Sequence, residues 1–344
     1  MIRFTAPGSS CLPLRRSLGQ RLPACVSQVF SRLPSALPDS QGGADSVHCS
    51  MDTPPDPYRN ITDVSEDVLE SLAKALENRA TEAKVVGIQR KIFNSALEHM
   101  GSSDEKVIVD IGCGTGTVSR AMSALPGVVQ VIGVDPSPYF LARARASLSA
   151  EEASRMVFYE ARSTHLPLPD KSADLVMLCH VLTHLDPEEV LPTLVEANRV
   201  LRDGGHVLLK DNDLASWSLT LGPTDPLSAP VETFLGAWEA GKYLCRQFPS
   251  ILAKAGFVPE KLQVYPILDD DEDTYGFQCV LLRSIKMHHA LGKCSREMAA
   301  AYAEEARRRA RDRTFQCLLT YGVCFGYKRA CDRDDQLSRS PRKA

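Results

Sequence analysis

Three glycines and an aspartate in one short stretch have a spacing typical of a nucleoside-binding site. Residues 109–116 are V-D-I-G-C-G-T-G, with Asp110 two residues before the first glycine, Gly112. Glycine allows positive φ angles and lets a ligand approach the backbone closely. The spacing G-x-G-x-G differs from the dinucleotide pattern G-x-G-x-x-G. An acid beside the loop favours a cationic or amino-bearing ligand over a pyrophosphate.

A second acid follows at a distance that suits a ribose. Asp135 ends the next apolar run, in I-G-V-D-P-S, 19 residues after Gly116. A carboxylate there can accept hydrogen bonds from both ribose hydroxyls. The order strand, glycine turn, helix, strand and acid therefore predicts a nucleoside-type ligand. The alternative is a glycine turn that serves packing alone.

Polar side chains that could act on a second substrate follow two later apolar runs. His180 and His184 come after the run 174–179, and Asp211 and Asp213 come after the run 206–210. Such groups suit an oxygen or nitrogen nucleophile, or an electrostatic clamp on a substrate cation. Each also has a structural interpretation, which is packing for the histidines and turn capping for the aspartates.

The elements that must position these residues alternate along the chain. Short apolar runs predict strands, and helical periodicity fills the segments between them. Repeated βα units predict an α/β, doubly wound fold with a mostly parallel sheet and helices on both faces. Right-handed crossovers then place every βα loop at the carboxyl ends of the strands, where ligands bind. The predicted strands are 107–111, 129–134, 156–159, 174–179 and 206–210.

Composition narrows the class of protein. The 344 residues are 44% hydrophobic and 24% charged, which excludes collagen-like and wholly disordered chains. No apolar run reaches the roughly 18–20 residues of a membrane-spanning helix. The net charge of −3 gives no overall positive field for nucleic acid, so the expected partner is a small molecule. The oligomeric state stays open.

Neither the cysteines nor the charged runs of the chain predict a binding site. The eleven cysteines show no C-x-x-C and no zinc spacing, which favours buried thiols in a reducing compartment. The run 269–273 is interpreted as a solvated acidic turn, so no metal site is predicted. His288 and His289 are interpreted as surface residues, and the run 307–309 as a solvated helix face.

The two ends of the chain differ from its middle. Residues 1–38 hold five arginines, six serines and no acid, a composition typical of a transit peptide. Residues 1–50 are therefore predicted to target a mitochondrion or another organelle. The alternative is a disordered leader, and a start at Met51 would give a cytoplasmic protein. Residues 51–62 are interpreted as a linker and 331–344 as a disordered tail.

The motifs together resemble the seven-strand class I S-adenosylmethionine-dependent methyltransferases. The resemblance extends to L-P-L-P-D-K-S-A-D-L-V at 166–176 and R-V-L-R-D-G-G-H at 199–206, and it covers about residues 70–330. The branch it resembles is the quinone-biosynthesis type, which acts on small molecules. It implies a seven-stranded core at 101–266 and 314–330 with an antiparallel last strand. Helices at 63–100 and an insert at 267–313 would then form a lid.

The resemblance also implies roles for single residues. Its triplet Gly-Asp-Ala is missing before L-P, so Glu160 is taken as the acid near the adenine, with the Ala161 N–H beside it. The catalytic candidates remain His180, His184, Asp211 and Asp213. The residues expected to bind S-adenosylmethionine are Asp110, Gly112, Cys113, Gly114, Gly116, Asp135, Pro136, Glu160, Ala161 and Cys179.

The predicted function is methyl transfer to a small-molecule acceptor by in-line displacement. Proximity and orientation can supply most of the rate enhancement of such a step. A base is required only if the nucleophile starts protonated. Two alternatives remain: a non-catalytic module that binds the cofactor or a partner, and a nucleotide-dependent oxidoreductase.

Overall fold

The computed structural model describes residues 56–101, 105–222, 224–238 and 241–330. The predicted leader at 1–50 and tail at 331–344 lie outside these residues. Within the described ranges, no helix is both long and apolar enough to cross a membrane. The seven cysteines in these ranges are free thiols, and four of them are buried.

Five strands form the parallel part of the sheet, in the order β3-β2-β1-β4-β5. Their interiors are apolar because helices cover both faces, as in β4, where four consecutive residues are buried. Parallel pairing in register brings their carboxyl ends to one edge. The strands are β1 (Lys106–Ile111), β2 (Val128–Asp135), β3 (Met156–Glu160), β4 (Ala173–Cys179) and β5 (Leu201–Asn212).

An antiparallel strand extends the sheet beyond β5. Strand β8 (Cys317–Lys328) pairs with β5, and its other side pairs with two shorter strands, β6 (Phe257–Pro259) and β7 (Gln263–Asp269). The predicted fold class is confirmed. The described sheet has eight strands rather than seven, because the twelve-residue β8 is long enough for β6 and β7 to pair with its two halves.

Helices connect and cover the strands. Local signals start several of them, such as the Ser149 capping box and the proline at the first turn after Asp186. A π-helix at Gly276–Leu281 runs directly into the ninth α-helix. The helices are α1 (Glu66–Thr81), α2 (Ala83–Met100), α3 (Thr117–Ser123), α4 (Pro138–Ala146), α5 (Ala150–Arg155), α6 (Pro187–Val200), α7 (Ser228–Gly236), α8 (Phe248–Lys254), α9 (Leu282–Ala290) and α10 (Arg296–Arg311).

The predicted insert at 267–313 packs as part of a larger apolar core. Residues 267–269 belong to β7, and Ile267 is buried in the same cluster as Trp217 and Phe234. Phe277 and Leu281 of the π-helix complete that cluster. The segment 214–238, which no sequence pattern assigned to a lid, therefore covers the same side of the sheet as the insert.

Two residues predicted to be solvated are buried. Asp269 is 1% exposed and accepts a hydrogen bond from the Gly276 N–H at 2.9 Å, because β7 continues to this residue. His288 is 7% exposed, and its Nδ1 lies 2.7 Å from the Thr233 hydroxyl. The surface interpretation is therefore wrong for Asp269 and His288, since each partner comes from a separate element, while residues 270–273 are exposed as predicted.

A buried ion pair also corrects the interpretation of the run 307–309. The Arg309 guanidinium donates two hydrogen bonds to Asp225, at 2.6 and 2.9 Å, and the two side chains are 8% and 2% exposed. Burial alone would raise the pKa of Asp225. Arg309 and two backbone N–H groups outweigh this effect and lower the pKa to about 2. This pair connects α10 to the turn before α7.

We predict that Arg309→Met lowers the free energy of unfolding by about 3–5 kcal/mol, because it leaves the Asp225 carboxylate buried without its cation. Chemical denaturation monitored by circular dichroism measures the loss. Arg308→Met is the matched control, since Arg308 pairs with Glu305 and Asp312 while half-exposed to solvent. Equal stability of the two variants would contradict the prediction.

Candidate active site

The glycine loop lies at the carboxyl end of β1 and leads into α3. Gly112, Gly114 and Gly116 have φ angles of 71°, 52° and 75°, in the left-handed region that favours glycine. A Cβ atom at Gly112 would collide with the Val181 side chain. The loop therefore lies against the chain that follows β4, and only glycine fits at this position.

Asp135 is fixed against this loop at the end of β2. Its Oδ2 accepts a hydrogen bond from the Gly114 N–H at 2.8 Å, and its Oδ1 accepts one from the Ser137 N–H at 2.9 Å. Burial raises the pKa of Asp135 to about 6, although the two hydrogen bonds lower it. Each carboxylate oxygen can accept a further hydrogen bond from a ligand hydroxyl.

Asp110 is the second buried acid of the loop. It is 1% exposed, and its Oδ2 accepts a hydrogen bond from the Ser119 hydroxyl at 2.5 Å. Burial raises the pKa of Asp110 to about 7, against the lowering effect of Ser119. Asp110 and Asp135 lie close enough to interact electrostatically, so the space beside the glycine loop is negatively charged above that pH.

One cavity among the described residues contains most of the predicted cofactor residues. Gly116 and Glu160 do not line it. Gly116 begins α3, and Glu160 is exposed because β3 is the edge strand of the sheet. Arg162 and Ser163 line the cavity beside Ala161 instead. The predicted residues that do line it are Asp110, Gly112, Cys113, Gly114, Asp135, Pro136, Ala161 and Cys179.

The cavity continues past β4, where His180 lines it. His180 has a φ of 60°, and its N–H donates to the Lys210 carbonyl at 2.7 Å. Its ring packs edge-on against Tyr321, with centroids 4.9 Å apart. Burial and the charges of Lys210 and Arg79 hold the pKa of His180 well below its usual range. Its Nδ1 has no hydrogen-bond partner within the described part of the chain.

His184 lines the same cavity one turn further on. Its Nδ1 lies 3.0 Å from Asp56 Oδ1. Its ring lies 4.8 Å from that of Tyr58 and 5.3 Å from that of Trp238, measured between centroids. The imidazole is thus held by the segment that precedes α1 and by the segment that follows α7.

The two predicted aspartates at the end of β5, Asp211 within the strand and Asp213 directly after it, do not line the cavity. Successive side chains of a strand point to opposite faces, and Lys210 and Asn212 line the cavity while Asp211 does not. Asp211 accepts hydrogen bonds from the Thr183 hydroxyl at 2.9 Å and from the Thr183 N–H at 3.1 Å. Asp213 forms an ion pair with Arg246 at 3.1 Å. Both carboxylates position other residues and contact no cavity space.

Two cations on this side were missed by the sequence analysis. Arg79 of α1 donates from Nε to the Tyr321 hydroxyl at 2.8 Å and from Nη2 to Asn212 Oδ1 at 3.1 Å. Lys210 lies with its Nζ 4.4 Å from the centroid of the Tyr321 ring, and burial lowers its pKa to about 8. A lysine within an apolar strand was a usable signal, whereas the pattern of α1 gave none for Arg79.

Aromatic side chains also line the part of the cavity near His180 and Lys210. They come from segments outside the stretch from β1 to β4. Trp217 and Trp238 are each 9% exposed. The indole Nε1 of each has no hydrogen-bond partner among the residues that the structure describes. The aromatic residues of these walls are Tyr58, Trp217, Phe234, Trp238 and Tyr275. The described ranges contain no group of three or more His, Cys, Asp or Glu side chains that could hold a metal ion.

The chain matches a family of known proteins over the centre of this site. Residues 109–209 match the family described as "Methyltransferase domain". This range contains the glycine loop, Asp135, His180 and His184. The resemblance to class I S-adenosylmethionine-dependent methyltransferases is confirmed, and the quinone-biosynthesis branch stays a prediction.

Relatives share part of the chain. An uncharacterized methyltransferase of Schizosaccharomyces pombe is 36% identical over 126 residues, which are 35% of this chain and 44% of that protein. An uncharacterized methyltransferase of Synechocystis is 25% identical over 186 residues, 52% of this chain and 80% of that protein. The 27-O-demethylrifamycin SV methyltransferase of Amycolatopsis mediterranei is 36% identical over 105 residues, 30% and 38%. The match thus spans less than half the length of the first and third relatives.

Two solved structures resemble the chain at low sequence identity. The YcgJ protein of Bacillus subtilis has a TM-score of 0.48 and 18% identity, covering 70% of this chain and 98% of that one. A phosphoethanolamine N-methyltransferase of Haemonchus contortus, in complex with S-adenosyl-L-methionine, has a TM-score of 0.42 and 19% identity, covering 70% and 53%.

We predict that Asp110→Asn stabilises the protein at pH 8 but not at pH 4. The folded pKa of about 7 exceeds the ordinary value of 3.8, so ionisation between these values costs the folded protein stability. The gain reaches at most about 4 kcal/mol, the equivalent of that shift. Urea unfolding at both pH values measures it, with the exposed Asp170→Asn as control. A gain that does not depend on pH would contradict the prediction.

Proposed function

Because residues 109–209 match the methyltransferase domain family, we propose that the whole chain transfers a methyl group from S-adenosylmethionine to a small-molecule acceptor. One observation carries the proposal. A single cavity joins the glycine loop to a chamber lined by His180, Lys210 and aromatic side chains. Donor and acceptor would therefore meet in one space, where proximity and orientation favour a displacement.

The residues beside the glycine loop fit the cofactor. Gly112 and Gly114 line the cavity without side chains, so a ligand can approach the loop backbone closely. Asp135 can accept hydrogen bonds from the ribose hydroxyls, and the charge of Asp110 suits a cationic amino acid moiety. When bound, S-adenosylmethionine supplies a methyl group on a positively charged sulfur, which makes that carbon open to attack.

In this proposal His180 receives a proton from the acceptor. Its ring lines the cavity, and its lowered pKa keeps the imidazole neutral near pH 7. A neutral imidazole nitrogen can accept the proton of an acceptor O–H or N–H. Asp211 Oδ1 lies 3.7 Å from the His180 Nδ1, so its charge would stabilise the protonated ring. Thr183 holds Asp211 in place.

In this proposal, the segments around the part of the cavity that His180 and Lys210 line form its cover. Arg79 and Leu76 of α1, together with Tyr275 and Trp238, line the cavity opposite the sheet. The predicted lid role of residues 63–100 is retained in this proposal. For the insert, it is extended to the segment 214–238, which shares one apolar core with it. Acceptor choice would depend on these walls.

We expect Asp135→Ala to weaken binding of S-adenosylmethionine more than tenfold. Two charge-assisted hydrogen bonds would be lost, at roughly 1.5–3 kcal/mol each. Titration calorimetry measures the dissociation constant, and the exposed Asp170→Ala serves as control. Unchanged affinity in a folded Asp135 variant would refute the role of this carboxylate.

We expect His180→Gln to lower turnover at pH 7 by about 100-fold or more while cofactor affinity stays within threefold. A metabolite extract incubated with the enzyme and a methyl-labelled donor supplies the acceptor, and the labelled product is counted. The exposed His165→Gln is the matched control. Cofactor binding without any labelled product from the wild-type protein would favour the non-catalytic alternative.

A further inference from the structure

Two buried cations face the acceptor half of the cavity without a carboxylate partner. Arg79 is 9% exposed and Lys210 is 2% exposed. The hydrogen-bond partners of Arg79 are neutral, the Tyr321 hydroxyl and the Asn212 amide oxygen. Lys210 faces the ring of the same tyrosine. Neither forms an ion pair within the described part of the chain, and a buried charge is costly until it is paired.

The carboxylates nearest these cations already have other partners. Asp211 accepts from Thr183 and from the Asn212 N–H, at 2.8 to 3.1 Å. Glu82 accepts from the Tyr275 N–H at 2.9 Å. Glu82 interacts electrostatically with Arg79 and Asp211 with Lys210, but neither acid forms an ion pair with these cations among the described residues.

The position of the cations assigns them to the acceptor. The Arg79 guanidinium is bonded to Asn212 at the end of β5 and to Tyr321 in β8. Strand β4 lies between β5 and β1, where the glycine loop begins. The two cations therefore lie one strand away from the glycine loop, beyond Cys179, which pairs with Lys210 in the sheet.

The surrounding walls combine apolar area with spare hydrogen-bond donors. Phe234, Trp217 and Trp238 present aromatic surface to the cavity. Both indole N–H groups are buried without an acceptor among the described residues. An indole N–H can only donate, so each indole adds a donor to the two cations in these walls. The complement of these walls is a molecule that brings oxygen acceptors and an apolar body.

We propose that the methyl acceptor is an organic carboxylate with an apolar or aromatic body, whose carboxylate binds between Arg79 and Lys210. This inference rests on the proposed function for the identity of the chamber as the acceptor site. The bound negative charge offsets the two cations that suppress protonation of His180. The acceptor thereby makes His180 a stronger base at the moment when a proton must be taken up.

The test uses the full chain saturated with S-adenosylhomocysteine. The cofactor site, including any position that binds the carboxylate of the cofactor, is then occupied before the test compounds are added. Calorimetry compares benzoate and octanoate with benzamide and octanamide, which match them in shape but carry no charge. We expect each carboxylate to bind at least tenfold more tightly than its amide. Lys210→Met should remove this preference and leave S-adenosylhomocysteine affinity within threefold. Exposed Lys261→Met is the matched control.

Each other outcome overturns the inference. Equal binding of acid and amide, or no binding of either, would exclude a carboxylate acceptor while leaving cofactor binding, and with it the proposed function, intact. A Lys210→Met variant that loses S-adenosylhomocysteine would assign the cation to the carboxylate of the cofactor. Phenyl phosphate that binds more tightly than benzoate would assign the chamber to phosphate esters. Failure of the wild-type protein to bind S-adenosylhomocysteine would instead refute the proposed function.

Discussion

The buried guanidinium of Arg79 is the contact on which the arrangement of the cavity walls depends. It joins α1 to Tyr321, 242 residues later in the chain, and to Asn212 at the end of β5. It also lies 4.0 Å from the centroid of the Tyr275 ring, a distance typical of a cation–π contact. One side chain thus joins α1 to β5, to β8 and to the segment after β7, and the hydrogen bond from the Tyr275 N–H to Glu82 supports the same connection.

A second set of charges ties α1 to the sheet from the other side. Arg143 of α4 forms ion pairs with Glu70 and Glu77 of α1, each at 2.6 Å. These side chains are about one-third exposed, so solvent weakens the pairs. We therefore expect these partly exposed pairs to hold α1 less strongly than the buried Arg79 guanidinium does.

The sequence was sufficient for features whose cause is local. The glycine spacing and the acids Asp110 and Asp135 predicted the loop that the structure contains, because turn geometry and strand ends are encoded within a few residues. The parallel sheet and its antiparallel strand followed from repeated βα units and from the family resemblance. In β5 the right region was predicted but the wrong face, because Asp211 alternates with Lys210.

Features that depend on distant partners were not predictable in the same way. His288 meets Thr233 at a separation of 55 residues, and Arg309 meets Asp225 at 84. Each polar residue looks like a surface residue in its own helix, because helical periodicity carries no information about what lies opposite. Glu160 lies outside the cavity for a related reason. Its strand, β3, forms the edge of the sheet, and this position depends on the order of the strands in the sheet.

The two halves of the cavity come from different stretches of the chain. The donor half lies within the matched range 109–209, whereas the aromatic walls and Arg79 come from residues before and after it. Substitutions in those flanking segments can reshape the chamber without touching the glycine loop. Under the proposed function, such an arrangement separates two selective pressures in evolution, since a lineage can exchange the molecule it modifies and keep the same methyl source.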